Sequence, residues 1–242
     1  MRYELYYWPS VPGRGEFVRL ALEEGAADYV DVGRESGRGT GVRAIVRSLE
    51  DRKLDHPPFA PPFLKAGRLL IGQTANILLY LGPRLGLVPA AESSRLWAHQ
   101  LQLTIADFVD EIHDVHHPIA ASLYYAQQKK ESRRRSVHLR EERIPKFLGY
   151  FERIVARSGA ATGYALGRRV SYVDLSLFQL MAGLRYAFPQ AMAGSKYPAL
   201  CALHDRVADR PRIASYLESP RRLGFNEDGL FRHYPELDGP TA

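Results

Sequence analysis

"FAPPFLKAGRLLIGQTANILLYLGPRLGL", residues 59–87, reads as strand, turn, strand, helix. Phe63–Leu64 is extended, Ala66–Gly67 turns the chain, Leu69–Ile71 is a short apolar run, and a helix opens at Thr74 and closes near Gly82–Pro83. Upstream, "YELYYW" (3–8) is short, aromatic and bounded by turn formers, which predicts a first strand. "GEFVRLALEEGA" then places Phe17, Leu20 and Ala21 at helical spacing and stops at Gly25. "DYVDV" (28–32) reads as a second strand. "GRESGRGTG" (33–41) reads as a mobile loop, since its G-x-G has neither the helix start nor the acidic partner of a phosphate loop. Residues 1–86 therefore sum to β-α-β, loop, β-β-α, a compact α/β unit.

"LVPAAESSR" (87–95) has the composition of a linker. Beyond it the apolar pattern takes long helical periods at 96–115, 138–159, 173–188 and 197–211, with no credible strand between them, so residues 94–225 form an all-helical domain. Ser171-x-x-Asp174 ahead of an apolar run is a capping box, a structural signal that fixes where a buried helix starts. The stretch 226–242 is a Gly/Pro-punctuated tail expected to lie over the surface.

A chain of 242 residues, 45% hydrophobic and 25% charged, can bury a real core without disulfides or metals. The first residues are too polar for a secretory signal and no apolar stretch approaches a membrane span, so a cytoplasmic protein with no membrane partner is expected. Cys201 is the single cysteine, which excludes an intrachain disulfide. The net charge of +6 suits acidic partners. Yet the basic run 129–143, seven basic residues against three acidic ones, has no aromatic interleaved for base stacking and reads as a solvated helix end or turn, not a nucleic-acid site.

The order and spacing of these features, with Tyr–Trp–Pro closing the first strand, the P-P-F-L-x-x-G-x-L-x-I-x-Q-T segment, the linker and Gly167-x-x-x-Ser171-x-x-Asp174, resemble a cytosolic glutathione transferase of the tyrosine type (alpha, mu, pi or sigma) from Tyr3 to about Leu217. The resemblance implies a thioredoxin-like α/β domain followed by an all-α domain, glutathione as co-substrate, a hydrophobic electrophile, detoxification and a homodimer. In such proteins the catalytic tyrosine ends the first strand two residues before a proline, which here is Tyr7 before Pro9. A strand alternates faces, so Tyr3, Leu5 and Tyr7 share one side and Tyr6 and Trp8 the other; Tyr6 is the rival assignment. A phenol suits the task because it donates a hydrogen bond to a thiolate better than to a thiol.

By the same resemblance, Arg14 assists electrostatically, its bland alternative being a surface arginine paired with Glu16 or the tail. Pro62 is the cis-proline, and Pro61 before it offers the ligand a carbonyl but no N–H, a departure from the usual pattern. Gln73 and Thr74 open a helix whose free amides suit the γ-glutamyl carboxylate, with the Thr74 hydroxyl either capping or binding. Asp107 matches an acidic residue that reaches across the two-fold toward the γ-glutamyl ammonium, with Asp110 and Glu111 as rivals. Lys53 is a candidate for the glycyl carboxylate. Trp8, Val11, His113 and His117 are candidates for the electrophile pocket; His113 and His117 are four apart, on one helical face, beside His116. That grouping could ligate zinc, but no general base stands at the metalloprotease spacing, and no metal is expected. The alternative function is a non-catalytic protein of the same fold that binds ligands or partners, for which Pro61 is the best support.

Overall fold

The computed structural model describes residues 1–158, 163–194 and 196–239. A four-stranded sheet in the order β2-β1-β3-β4 is built from β1 (Tyr3–Tyr6), β2 (Tyr29–Asp31), β3 (Phe63–Ala66) and β4 (Leu69–Gly72). β1 runs parallel to β2 and antiparallel to β3, and β3 pairs antiparallel with β4 across the turn at Gly67, whose φ is +63°. This is the thioredoxin-like arrangement that the resemblance implied. Helices α1 (Gly15–Glu24) and α3 (Thr74–Arg84) meet one face, where Tyr3, Leu5, Val18, Leu22, Leu64, Ile77 and Leu81 form a core. On the other face Tyr6 stacks on its cross-strand partner Phe63 at 4.5 Å, with Val32, Ala44 and Ile45.

Ala44 and Ile45 belong to α2 (Gly41–Glu50), a helix between β2 and β3 where the sequence predicts only a loop. The glycines of 33–41 end at its first residue, and "GVRAIVRSLE" sets Val42, Ile45, Val46 and Leu49 at helical spacing, although only Ala44 and Ile45 are buried.

The helical half comprises α4 (Glu92–His113), α5 (Lys129–His138), α6 (Ile144–Arg157), α7 (Tyr172–Ala187), α8 (Pro198–Ala208), α9 (Pro211–Leu217) and the single turn α10 (Pro235–Asp238). The helix α4 begins inside the expected linker and ends at His113, so His117 is not on its face as the spacing suggested. The basic run is helical throughout: α5 continues through a π-helical turn, Leu139–Arg143, into α6. Pro145, which has no N–H to give the helical ladder, lies just past that loosened turn. Gly159 of the expected 138–159 helix lies outside the described residues, as do residues 240–242 of the tail. The expected capping box is formed: Asp174 accepts from the Ser171 amide at 2.7 Å and the Ser171 hydroxyl at 2.6 Å, and also from the Ala165 amide at 2.7 Å. Burial pushes the Asp174 carboxyl up to about 6.

The tail does not lie over the surface. Leu230, Phe231 and Leu237 are buried in the helical core, and Tyr234 stacks on Tyr125 at 3.9 Å. A Cβ on Gly183 of α7 would lie 2.4 Å from the Phe231 ring, so this glycine makes the seat for it. The apolar anchors are isolated among turn formers and show no period, which hid them in the sequence.

Candidate active site

Tyr7 lies one residue past β1, 6% exposed, where the chain turns through Pro9–Gly13 toward α1. Its ring fits between two glycines: a Cβ on Gly13 would come 2.1 Å from the Tyr7 hydroxyl oxygen, and one on Gly15 would come 2.5 Å from ring atoms. Gly13 also holds φ at +41°, a conformation that favours glycine. The Arg14 amide donates to the Tyr7 hydroxyl oxygen at 2.9 Å. Burial pushes the phenol above its ordinary range; the Arg14 amide, the charges of Arg14 and Arg19, and the Gly15 amide pull against it. The phenol therefore stays protonated near neutrality and is equipped to donate, not to act as a base.

Arg14 precedes α1 and its guanidinium pairs with Asp110 of α4, not with Glu16 or the tail. Thr74 opens α3, and its hydroxyl is 3.5 Å from the Arg14 carbonyl oxygen, which it faces in place of capping. Gln73, just before it, has φ +68°, a backbone state costing on the order of 1–3 kcal/mol outside glycine and concentrated at functional sites. Arg14, Gln73, Thr74, Asn76 and Asp110 form the polar rim of a cavity of about 310 Å³, with Phe17, Ile105 and Val109 among its apolar walls. Behind it the Ser176 hydroxyl donates to Gln102 at 2.8 Å, tying α7 to α4. The α3 N-terminus, with its unpaired amides and positive dipole end, faces this cavity beside a guanidinium, which suits a carboxylate.

The structure thus gathers Arg14, Gln73 and Thr74, with Tyr7 one hydrogen bond behind Arg14. The peptide between Pro61 and Pro62 is cis; Pro62 is buried and Pro61 partly exposed. Lys53 is exposed beyond α2, in a separate shallow depression with Arg43 and Arg47. Of the three acidic candidates on α4, Asp110 reaches the cavity, Glu111 takes Arg143 at 2.6 Å, and Asp107 is exposed away from the rim. Tyr6 faces the other way and donates to Glu4 at 2.7 Å.

Val11 is buried, and Trp8 is 36% exposed. The segment after α9 covers their loop: the Asn226 side-chain amide donates to the Ser10 carbonyl at 2.8 Å. The His113 and His117 rings stack at 4.7 Å although only His113 is helical. Burial holds His113 below the usual range, with Arg14 and His117 adding to that. His116, fully buried, donates from Nε2 to the Leu230 carbonyl at 3.0 Å, and burial holds it down at about 3. Among the described residues no group of three or more His, Cys, Asp or Glu side chains is arranged to hold a metal ion, and no helix is long and apolar enough to cross a membrane.

Residues 113–220 match the family described as glutathione S-transferase, C-terminal domain. The chain is 23% identical over 218 residues to a glutathione S-transferase of Plasmodium falciparum, covering 88% of this chain and 93% of that one. It is 25% identical over 220 residues to glutathione S-transferase P 1 of Xenopus laevis, covering 91% and 93%. Both of these relatives are glutathione S-transferases by name. Among solved structures, the glutathione S-transferase from Ascaris lumbricoides superposes with a TM-score of 0.66 at 21% identity, covering 90% of this chain and 96% of that one. The fold is that of a glutathione S-transferase, a thioredoxin-like unit followed by a helical one. The matched stretch 113–220 contains His113 and His117 but none of Tyr7, Arg14, Gln73 or Thr74, whose reading rests on the geometry above.

Sequence reasoning missed Gly13 and Gly15 as parts of this site, and held Asp110 only as a rival to Asp107. The Gly-Arg-Gly spelling of 13–15 was the available signal, two positions without side chains around the arginine. Asp110 depended on how α4 is rotated against α1, which no local pattern carries.

Proposed function

We propose that the chain is a glutathione transferase of the tyrosine type, a cytoplasmic homodimer that conjugates glutathione to hydrophobic electrophiles. One observation carries it: the Tyr7 hydroxyl accepts from the Arg14 amide, beside a cavity that opens on the α3 N-terminus, and keeps its own proton to donate.

Glutathione would lay its γ-glutamyl carboxylate on the amides of Thr74 and Ala75, with Gln73 and Arg14 on either side, and its sulfur toward Tyr7. The thiol gives its proton to solvent, and the Tyr7 hydroxyl donates to the thiolate left behind. Lowering a thiol from about 8.5 by about 2 units takes roughly 2.7 kcal/mol of preferential stabilisation, within reach of one charge-assisted hydrogen bond and a nearby cation. The thiolate sulfur then attacks an electrophilic carbon; on a halogenated arene the C–S bond forms and the carbon–halogen bond breaks, releasing halide. Trp8, Val11, His113 and His117 would line the side from which the electrophile approaches and Pro61 would offer its carbonyl to the peptide, while Lys53, in its separate depression, and Asp107, from the partner subunit, would meet glutathione only at its outer charges. For the dimer, α4 leaves Leu96 and Leu103 exposed, apolar surface suited to a second copy.

The test is conjugation of glutathione to a chloronitroarene by the purified chain against Tyr7→Phe. Turnover that depends on Tyr7 supports the reading; full activity in Tyr7→Phe with loss in Tyr6→Phe overturns the assignment.

A further inference from the structure

Glu16 and Arg19, both on α1, are 0% exposed, and neither lines the cavity. A buried guanidinium is costly unless paired and hydrogen-bonded. Arg19 gives Nε to Asp31 of β2 at 2.7 Å, and Nη1 to Glu16 at 3.1 Å and to the Pro12 carbonyl at 3.3 Å. Pro12 starts the turn whose next peptide, Gly13–Arg14, presents its amide to the Tyr7 hydroxyl. The Arg19 guanidinium carbon is 5.7 Å from the centre of the Tyr7 ring. Arg19 therefore holds that turn from the inside while placing its charge against the phenol.

Glu16 carries the connection onward. One carboxylate oxygen faces Arg19; the other accepts from the Tyr216 hydroxyl of α9 at 2.7 Å and from Arg222. Arg222 in turn reaches Gln179 of α7 at 3.0 Å. The hydrogen-bonded chain Gln179, Arg222, Glu16, Arg19, Pro12 runs from the helical half to the back of Tyr7. The charged groups around it are Arg14 beside Tyr7, Asp31 and Arg34 on the β2 side, and Arg222 beyond Glu16.

We propose that Arg19 is a positioning residue for the reaction, holding the Pro12–Arg14 turn and its own charge against Tyr7, and that Tyr216 and Arg222 fix it through Glu16, so that the acidity of bound glutathione is set in part from the C-terminal side of the fold. This rests on the transferase reading of Tyr7. Without the Tyr216 hydroxyl or the Arg222 cation, the Glu16 carboxylate bears more fully on Arg19 and lowers the positive potential at Tyr7. The thiolate then loses stabilisation and the thiol pKa rises.

The experiment titrates the ultraviolet absorbance of the glutathione thiolate in the enzyme complex, alongside kcat/KM across pH, for the wild type, Tyr216→Phe, Arg222→Met and Arg19→Lys. Tyr125→Phe serves as a control, since Tyr125 is a buried tyrosine that donates to a different carboxylate, Glu236, at 2.9 Å. The expected result is a thiol pKa raised by about half a unit to one unit in Tyr216→Phe and Arg222→Met, a loss of about three- to tenfold in kcat/KM on the acid side that recovers at high pH, with no shift in Tyr125→Phe. Arg19→Lys keeps the charge but not the three-way fork, and shifts the profile in the same direction. Should Arg19→Lys fail to fold, the other two variants decide. Variants that melt earlier while the thiol titrates as in the wild type overturn the proposal alone. A wild type with no thiolate near neutral pH overturns the transferase reading and this inference with it.

Discussion

The Arg14 amide donates to the Tyr7 hydroxyl oxygen across 2.9 Å, while the Arg14 guanidinium turns outward to Asp110. One residue thus polarises the phenol with its backbone and shapes the cavity rim with its side chain. The phenol's own proton is the group on which activity should depend. Tyr7→Phe is expected to lower kcat/KM by about 100-fold, the usual loss for one donor to a developing or stabilised anion. Glutathione affinity should change far less, and Tyr6→Phe should be near normal, since Tyr6 is committed to Glu4 on the opposite face of the sheet. Steady-state kinetics of the two variants check this.

Gly15→Ala sets two effects against each other. Alanine gains about 1 kcal/mol of helix propensity over glycine. Its Cβ, however, would sit 2.5 Å from Tyr7 ring atoms, and overpacking a buried ring costs about 1–3 kcal/mol. The clash wins: net destabilisation is expected in chemical denaturation, with a loss of kcat/KM because the phenol is displaced.

Pro61→Val restores a backbone N–H where the ligand's peptide is expected to lie. One net hydrogen bond is worth about 0.5–1.5 kcal/mol, so glutathione should bind about two- to tenfold tighter. Calorimetric titration of both proteins reads this directly, and equal affinities would remove Pro61 from the binding surface.

His116 makes stability depend on pH. Its imidazole is held at about 3 in the fold against 6.5 as a free group, so between those values the unfolded chain binds a proton that the folded chain refuses. The stabilisation is complete above about pH 6.5 and is lost as pH falls toward 3, by an amount on the order of a few kcal/mol. His116→Gln, which can still donate to the Leu230 carbonyl, is expected to flatten the unfolding free energy over that window in denaturant melts at stepped pH.

Much of this architecture could be read in advance because period and punctuation agreed. The strand–turn–strand–helix of 63–84 and the capping box at Ser171 and Asp174 are local devices, written within a few residues of where they act. The helix α2 does carry a helical spacing, at Val42, Ile45, Val46 and Leu49, but the run of glycines before it masks its start. The spacing to Pro9 singled out Tyr7, but its two glycine neighbours act through ring contacts that a linear pattern does not display. Asp110 and Tyr216 reach α1 from 96 and 200 residues away, partnerships fixed by how whole helices are rotated and stacked.

The seat of Phe231 on Gly183 also orders events during synthesis. Translation runs from the N-terminus, so the sheet and α1 to α9 are all made before the side chains that fill the groove beside α7 and cover His116 exist. Until then the seat on Gly183 lacks the ring that fills it, and Leu230, Phe231 and Leu237 complete the helical core only after the helices they pack against are made.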